Sequence, residues 1–227
     1  MSHLLIENKE LIKIFYGLII AVICIFIVYR SDKLFRISMH KGIRYFRNAF
    51  LFYGLAFIIR YLFGAMIFYN YLSQFYSPVI NILFEFFLVM AGFFLLYSLL
   101  WKKIETTEEN YYTSLFNSKI AIFYFMSLMI VLLDYLWGTH GFMFVSQIIL
   151  FAVISIVSYI NYIKKGGRHR FLKFYLIAML FSFAAWVMNF ITAVYLNWNQ
   201  ALLINVYILN MLIFLLFLWG VVKVTKK

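Results

Sequence analysis

The chain has 227 residues, 66% hydrophobic and 22% aromatic with only 12% charged, and a net charge of +12. Soluble domains are about half apolar and about a quarter charged, so this composition excludes a soluble globular domain. The positive charge sits in short stretches between long apolar runs, a pattern of topology signals and lipid contacts that excludes a nucleic-acid-binding domain.

Seven apolar runs are long enough to span a hydrocarbon core, at about 11–29, 47–70, 79–101, 119–138, 142–163, 171–196 and 201–222. They take up nearly the whole chain and predict an all-α integral membrane protein, one seven-helix transmembrane domain over 1–227. The first run is read as a retained helix. Glu7 and Glu10 spoil a positive leader, and no small-residue cleavage site follows Val28. The only proline, Pro78, falls at the start of the third run, where a first-turn proline is tolerated. Gly138 and Gly141 mark a tight turn between runs four and five, and Gly166-Gly167 separates five from six.

The connections alternate in charge. Arg30, Lys33, Arg36, Lys41, Arg44 and Arg47 lie between the first and second runs, against Asp32 alone. The stretch 70–77 carries no charge, whereas the third connection has Lys102, Lys103 and Lys119 with Glu105, Glu108 and Glu109. The fourth has only His140; the fifth has Lys164, Lys165, Arg168, Arg170 and Lys173; the sixth, 197–200, has none. The end of the chain carries Lys223, Lys226 and Lys227. Basic connections mark the cytoplasmic side, which puts the N-terminus outside and the C-terminus in the cytoplasm, in a multi-pass protein of the cell membrane. The expected partners are the bilayer itself, anionic lipid headgroups at the basic loops, and a cytoplasmic protein or a second copy of the chain.

An internal similarity suggests a three-plus-one-plus-three arrangement. Arg44-Tyr45-Phe46-Arg47 entering helix two resembles Arg170-Phe171-Leu172-Lys173 entering helix six, an offset that sets Phe57 on Phe183 and Arg60 on Trp186. Helices one to three and five to seven then share an orientation, with helix four as linker.

The costliest residue is Arg60. About 13 helical residues, roughly 20 Å of rise, separate it from Arg47 at the basic end. An arginine at such depth costs about 2.5–3.5 kcal/mol on insertion scales, so it needs a partner or a polar cavity. Two acids also lie deep in apolar runs, Glu85 of helix three and Asp134 of helix four. Asn189, Asn205 and Asn210 fall in the same outer-to-middle layer. Stripes at helical spacing link these groups: Tyr53 with Arg60; Asn81, Glu85 and Gly92; Tyr124, Ser127 and Asp134; Ser182, Trp186 and Asn189. The candidate ligand-binding set is Tyr53, Arg60, Glu85, Asp134, Trp186, Asn189, Asn205 and Asn210. Arg60 is expected to pair with Glu85, because helices adjacent in sequence are usually neighbours, leaving Asp134 the freer acid. One arginine against two carboxylates would leave the site net negative and suited to a proton or a cation.

Several chemistries are excluded. All four histidines (His3, His40, His140, His169) lie outside the apolar runs, so no Ser-His-Asp set, helix-borne haem pair or His-rich metal centre is formed. Cys24 stands alone, and no H-E-x-x-H, C-x-x-C or phosphate-loop motif occurs. No cofactor and no enzymatic reaction are expected. With the N-terminus outside and the C-terminus inside, the plan is similar to that of microbial rhodopsins. It has no lysine before Lys223 in the last run, however, so a retinal Schiff base is excluded. The plan is equally similar in topology to small sugar transporters of three-plus-one-plus-three helices, and to sensory modules of signalling kinases. These features together favour a receptor-like or sensory protein binding a small ligand or ion. The alternatives are a small transporter or cation-translocating protein, and a structural subunit whose ion pair locks helix packing. The cytoplasmic half offers few polar groups beyond Ser155, Ser158 and Asn161, which favours binding over transport.

Overall fold

The computed structural model describes residues 9–69, 71–104, 118–138, 141–164, 170–195 and 200–225. Those residues are helical apart from short turns and contain no strand. Among them, seven helices are long and apolar enough to cross a membrane, and the chain is accordingly a multi-pass membrane protein. In hydrocarbon each backbone N–H and C=O must be satisfied within the segment, which leaves the helix as the only form these apolar runs can take.

The helices are α1 (Lys9–Ser38), α2 (Lys41–Phe68), α3 (Ser77–Ile104), α4 (Ser118–Trp137), α5 (Gly141–Lys164), α6 (Arg170–Val194) and α7 (Gln200–Thr225). All but the first two begin and end within a few residues of the apolar runs. The basic stretch expected to connect runs one and two is helical instead, broken only around Met39, whose φ of 50° is left-handed. Long basic side chains reach polar surroundings from a helix as readily as from a loop, so their charge does not end it. Asp32 ties the two helices together there, accepting hydrogen bonds from Arg36 Nε at 2.9 Å and from Arg47 Nη1.

Contacts run around a ring in the order α1, α2, α3, α5, α6, α7, with α7 closing on α1. Helix α4 packs chiefly on α3 and α5. It therefore lies outside the ring. Close approach depends on small residues at two crossings. A Cβ at Gly17 of α1 would fall inside the Tyr61 ring of α2, and one at Gly92 of α3 would strike Leu150 of α5. Without a hydrophobic drive between helices in lipid, such close packing is a main source of association.

The ring is filled by aromatic side chains. Towards the C-terminal end of the bundle, Phe46 and Phe50 of α2 pack on Phe217 of α7 at 6.2 and 5.1 Å between ring centres, and Phe46 meets Tyr175 of α6 at 6.0 Å. Towards the N-terminal end, Tyr16 of α1 stacks on Tyr207 of α7 at 4.4 Å and meets Tyr61 of α2 edge-on at 5.7 Å. A cavity lies between these two layers.

Candidate functional site

The central cavity has a volume of about 150 Å³. By the usual measure of about 10–15 Å³ per water centre, that is room for several waters or a ring-sized organic group. Its floor is the upper surface of the aromatic plug, where Tyr53, Phe214 and Phe217 line it. Tyr53 is buried and stands edge-on to Phe214 at 5.4 Å. One wall comes from α6, where Ser182, Trp186 and Asn189 all face the cavity. These three share a helical face by their spacing, and Trp186 is held in place by Phe144 and Phe151 of α5 at 6.2 and 6.3 Å. Ser182 satisfies its own hydroxyl by donating to the Ala178 carbonyl at 2.8 Å. Asn210 of the neighbouring α7 also lines the cavity, within hydrogen-bonding reach of the Tyr16 hydroxyl.

Above this chamber is a second, outer cleft of about 360 Å³ at the N-terminal end of the bundle. It is lined by Lys13 of α1, the last turns of α2, and Ser77 and Asn81 of α3. Arg60, Tyr61 and Tyr207 line both spaces and so form the neck between them. Arg60 belongs to a single π-helical turn, Ile59–Phe63, inserted into α2. Such bulges shift the register of the residues beyond them and recur at functional sites. The Arg60 side chain is exposed, and its guanidinium lies over the Phe84 ring at 4.3 Å from the centroid.

Five of the expected residues therefore gather around one space: Tyr53, Arg60, Trp186, Asn189 and Asn210. The other three do not line it. Asn205 is exposed on α7 and borders neither space. Glu85 is buried one residue past Phe84, turned about 100° around α3, and borders neither space. The expected Arg60–Glu85 pair does not form; the face of the Phe84 ring takes the place of the carboxylate. Asp134 is not a freer acid in the pocket either. Its Oδ1 accepts hydrogen bonds from the backbone N–H groups of Phe142 at 2.8 Å and Met143 at 3.3 Å. A helix N-terminus leaves its first N–H groups without intrahelical acceptors and carries partial positive charge, so a buried carboxylate placed there caps α5.

The charged residues along the two spaces are few. Among the described residues, Arg60 and Lys13 are the ionisable cations that border the two spaces, and no carboxylate borders either. Glu85 and Asp134, the two acids expected beside Arg60, are thus absent from the lining of either space. No cluster of potential metal ligands occurs among the described residues.

Sequence reasoning missed Tyr16, Phe57, Phe84, Tyr61 and Tyr207 as wall residues. Phe57 was within reach, since it lies between Tyr53 and Arg60 at helical spacing on the same face. Tyr16 and Tyr207 meet only through closure of the ring, and no local pattern near either residue signals that contact. Compared with protein-family profiles, characterised proteins and solved structures, the chain matches none.

Proposed function

We propose that this protein is a receptor-like membrane protein that binds a small ligand in the central cavity, entered from the outside through the outer cleft. The observation that carries this reading is the two-chamber site itself. Polar and cationic groups from α1, α2, α3 and α7 surround the neck, and an aromatic floor closes the far side. Ligand sites are concave, mostly apolar and fixed by a few convergent polar groups, and this one has that make-up.

The outside assignment rests on the charge of the connections. Arg30, Arg36, Arg44, Arg47, Lys164 and Lys223 fall at the C-terminal end of the bundle, which the positive-inside bias assigns to the cytoplasm. Ligand occupancy would alter how α1, α2, α6 and α7 pack around the cavity. The basic rim would pass that change to anionic lipid, to a cytoplasmic protein or to a second copy. The role is binding without catalysis. Transport is disfavoured by the plug of Phe46, Phe50, Tyr175 and Phe217 below the cavity, and Ser155 and Ser158 are buried without bordering either space.

A single-cysteine experiment tests the reading. In a Cys24→Ala background, Asn210→Cys or Ser182→Cys should react with a membrane-impermeant sulfonated thiol reagent applied to the outside of intact cells. The same positions should be protected when the reagent is applied to inside-out vesicles. Equal reaction from both sides would mean a through-path and hence transport; no reaction from either side would mean a dry, closed packing defect.

A further inference from the structure

We propose that the ligand is a small monoanion on an apolar, ring-sized body, bound with its anionic group at Arg60 and its body on the aromatic floor. This inference rests on the binding reading above and names the ligand class for that site. The two spaces have complementary chemistry arranged along one axis. Lys13 and Arg60 border the outer cleft together with Ser77 and Asn81, and among the described residues no carboxylate does. Beyond the neck the lining is mostly apolar, with Leu88, Leu95, Phe151, Ile213, Phe214 and Phe217, and its polar side chains are the uncharged Ser182, Asn189 and Asn210. An amphiphile fits that gradient in one orientation only.

Arg60 is suited to the head group. Its planar fork matches the two oxygens of a carboxylate or phosphate. It lies about eight residues, or roughly 12 Å, below the end of α2 at Phe68. The Phe84 ring positions the guanidinium from one face, leaving its N–H edge for a ligand. Tyr61 and Tyr207 line the same neck. A cation would meet Arg60 first and be repelled. A neutral apolar molecule would gain the floor but leave the guanidinium unmatched.

The same chemistry could come from solution, as a short aryl or acyl carboxylate, or from an anionic lipid headgroup entering through the outer leaflet. Three probes with one body separate the charge requirement: 3-phenylpropionate, 3-phenylpropanamide and 3-phenylpropylamine. Thermal stability of the full chain is followed in phosphatidylcholine nanodiscs, with each probe titrated into the native protein, Arg60→Gln and Trp186→Ala. The acid should stabilise the native protein, its apparent affinity falling about tenfold to a hundredfold in Arg60→Gln, as for loss of a charged hydrogen bond. Acid binding should persist in Glu85→Gln, which reports that the substituted protein still folds. If phosphatidylglycerol in the nanodisc competes with the acid in the native protein but not in the Arg60→Gln variant, the lipid is the source; absence of competition assigns the soluble anion. Stabilisation by the amide or amine, lost in Trp186→Ala and indifferent to Arg60→Gln, would overturn the anion while keeping the cavity as a ligand site. Absence of a shift with all three would overturn both.

Discussion

The guanidinium of Arg60 lies 4.3 Å from the centre of the Phe84 ring, at the neck between the outer cleft and the central cavity. That placement explains how a costly charge is held inside a membrane helix without a carboxylate. One face rests on the ring's electron-rich surface, and the other side meets a polar cleft. Phe84→Leu keeps the apolar volume but removes the ring. It should lower affinity for an anionic probe without lowering the melting temperature as much as a core truncation, for which about 2–5 kcal/mol is typical. Parallel titration and melting curves of the two proteins measure this.

Asp134 should behave as a helix cap. Asp134→Ala leaves the Phe142 and Met143 N–H groups without their acceptor, and loss of such a cap costs about 0.5–2 kcal/mol. Asp134→Asn retains an acceptor oxygen and should recover most of that stability. Neither change should alter probe affinity, because Asp134 does not border the cavity. Loss of binding with unchanged melting would put this acid back among the ligand contacts.

Gly17 sets the distance between α1 and α2 beside the neck. Gly17→Ala forces a methyl group into the space of the Tyr61 ring, an overpacking that costs about 1–3 kcal/mol. The double change Gly17→Ala with Tyr61→Leu should be more stable than the sum of the single effects, since the smaller side chain makes room. Additive melting temperatures would show that the two residues do not press on one another.

Gln147 is fully buried on α5 against Gly92 of α3, and neither its amide oxygen nor its amide nitrogen has a hydrogen-bond partner. An unmatched amide in such a place costs free energy that an apolar residue of like size does not. Gln147→Met should therefore raise the melting temperature.

How far the sequence reaches is seen in these residues. The helices were legible because a continuous apolar run about 20 residues long can satisfy its backbone in hydrocarbon as a helix, and Tyr53, Arg60, Trp186 and Asn189 share the cavity because stripes on single helices survive folding. The pairing of Arg60 was not. Spacing places Glu85 on a helix next to α2, but its angle around α3 and the π-helical turn at Ile59–Phe63 decide which side chain Arg60 meets. The cap made by Asp134 depends on a turn at Gly138, with φ of 64°, tight enough to bring the carboxylate over the start of α5. Closure of the ring by Tyr16 and Tyr207 joins the two ends of the chain, beyond any local pattern.

The sign of the potential inside the cavity decides most directly whether Arg60 reads the ligand. In a Cys24→Ala protein carrying Asn210→Cys, reaction rates are compared for two thiol reagents of similar size. One is the anionic 2-sulfonatoethyl methanethiosulfonate and the other the cationic 2-(trimethylammonio)ethyl methanethiosulfonate, each normalised to its rate with a free thiol. The anionic reagent should react faster, and Arg60→Gln should abolish or reverse that preference. A preference for the cationic reagent with Arg60 in place would contradict an anion-binding site.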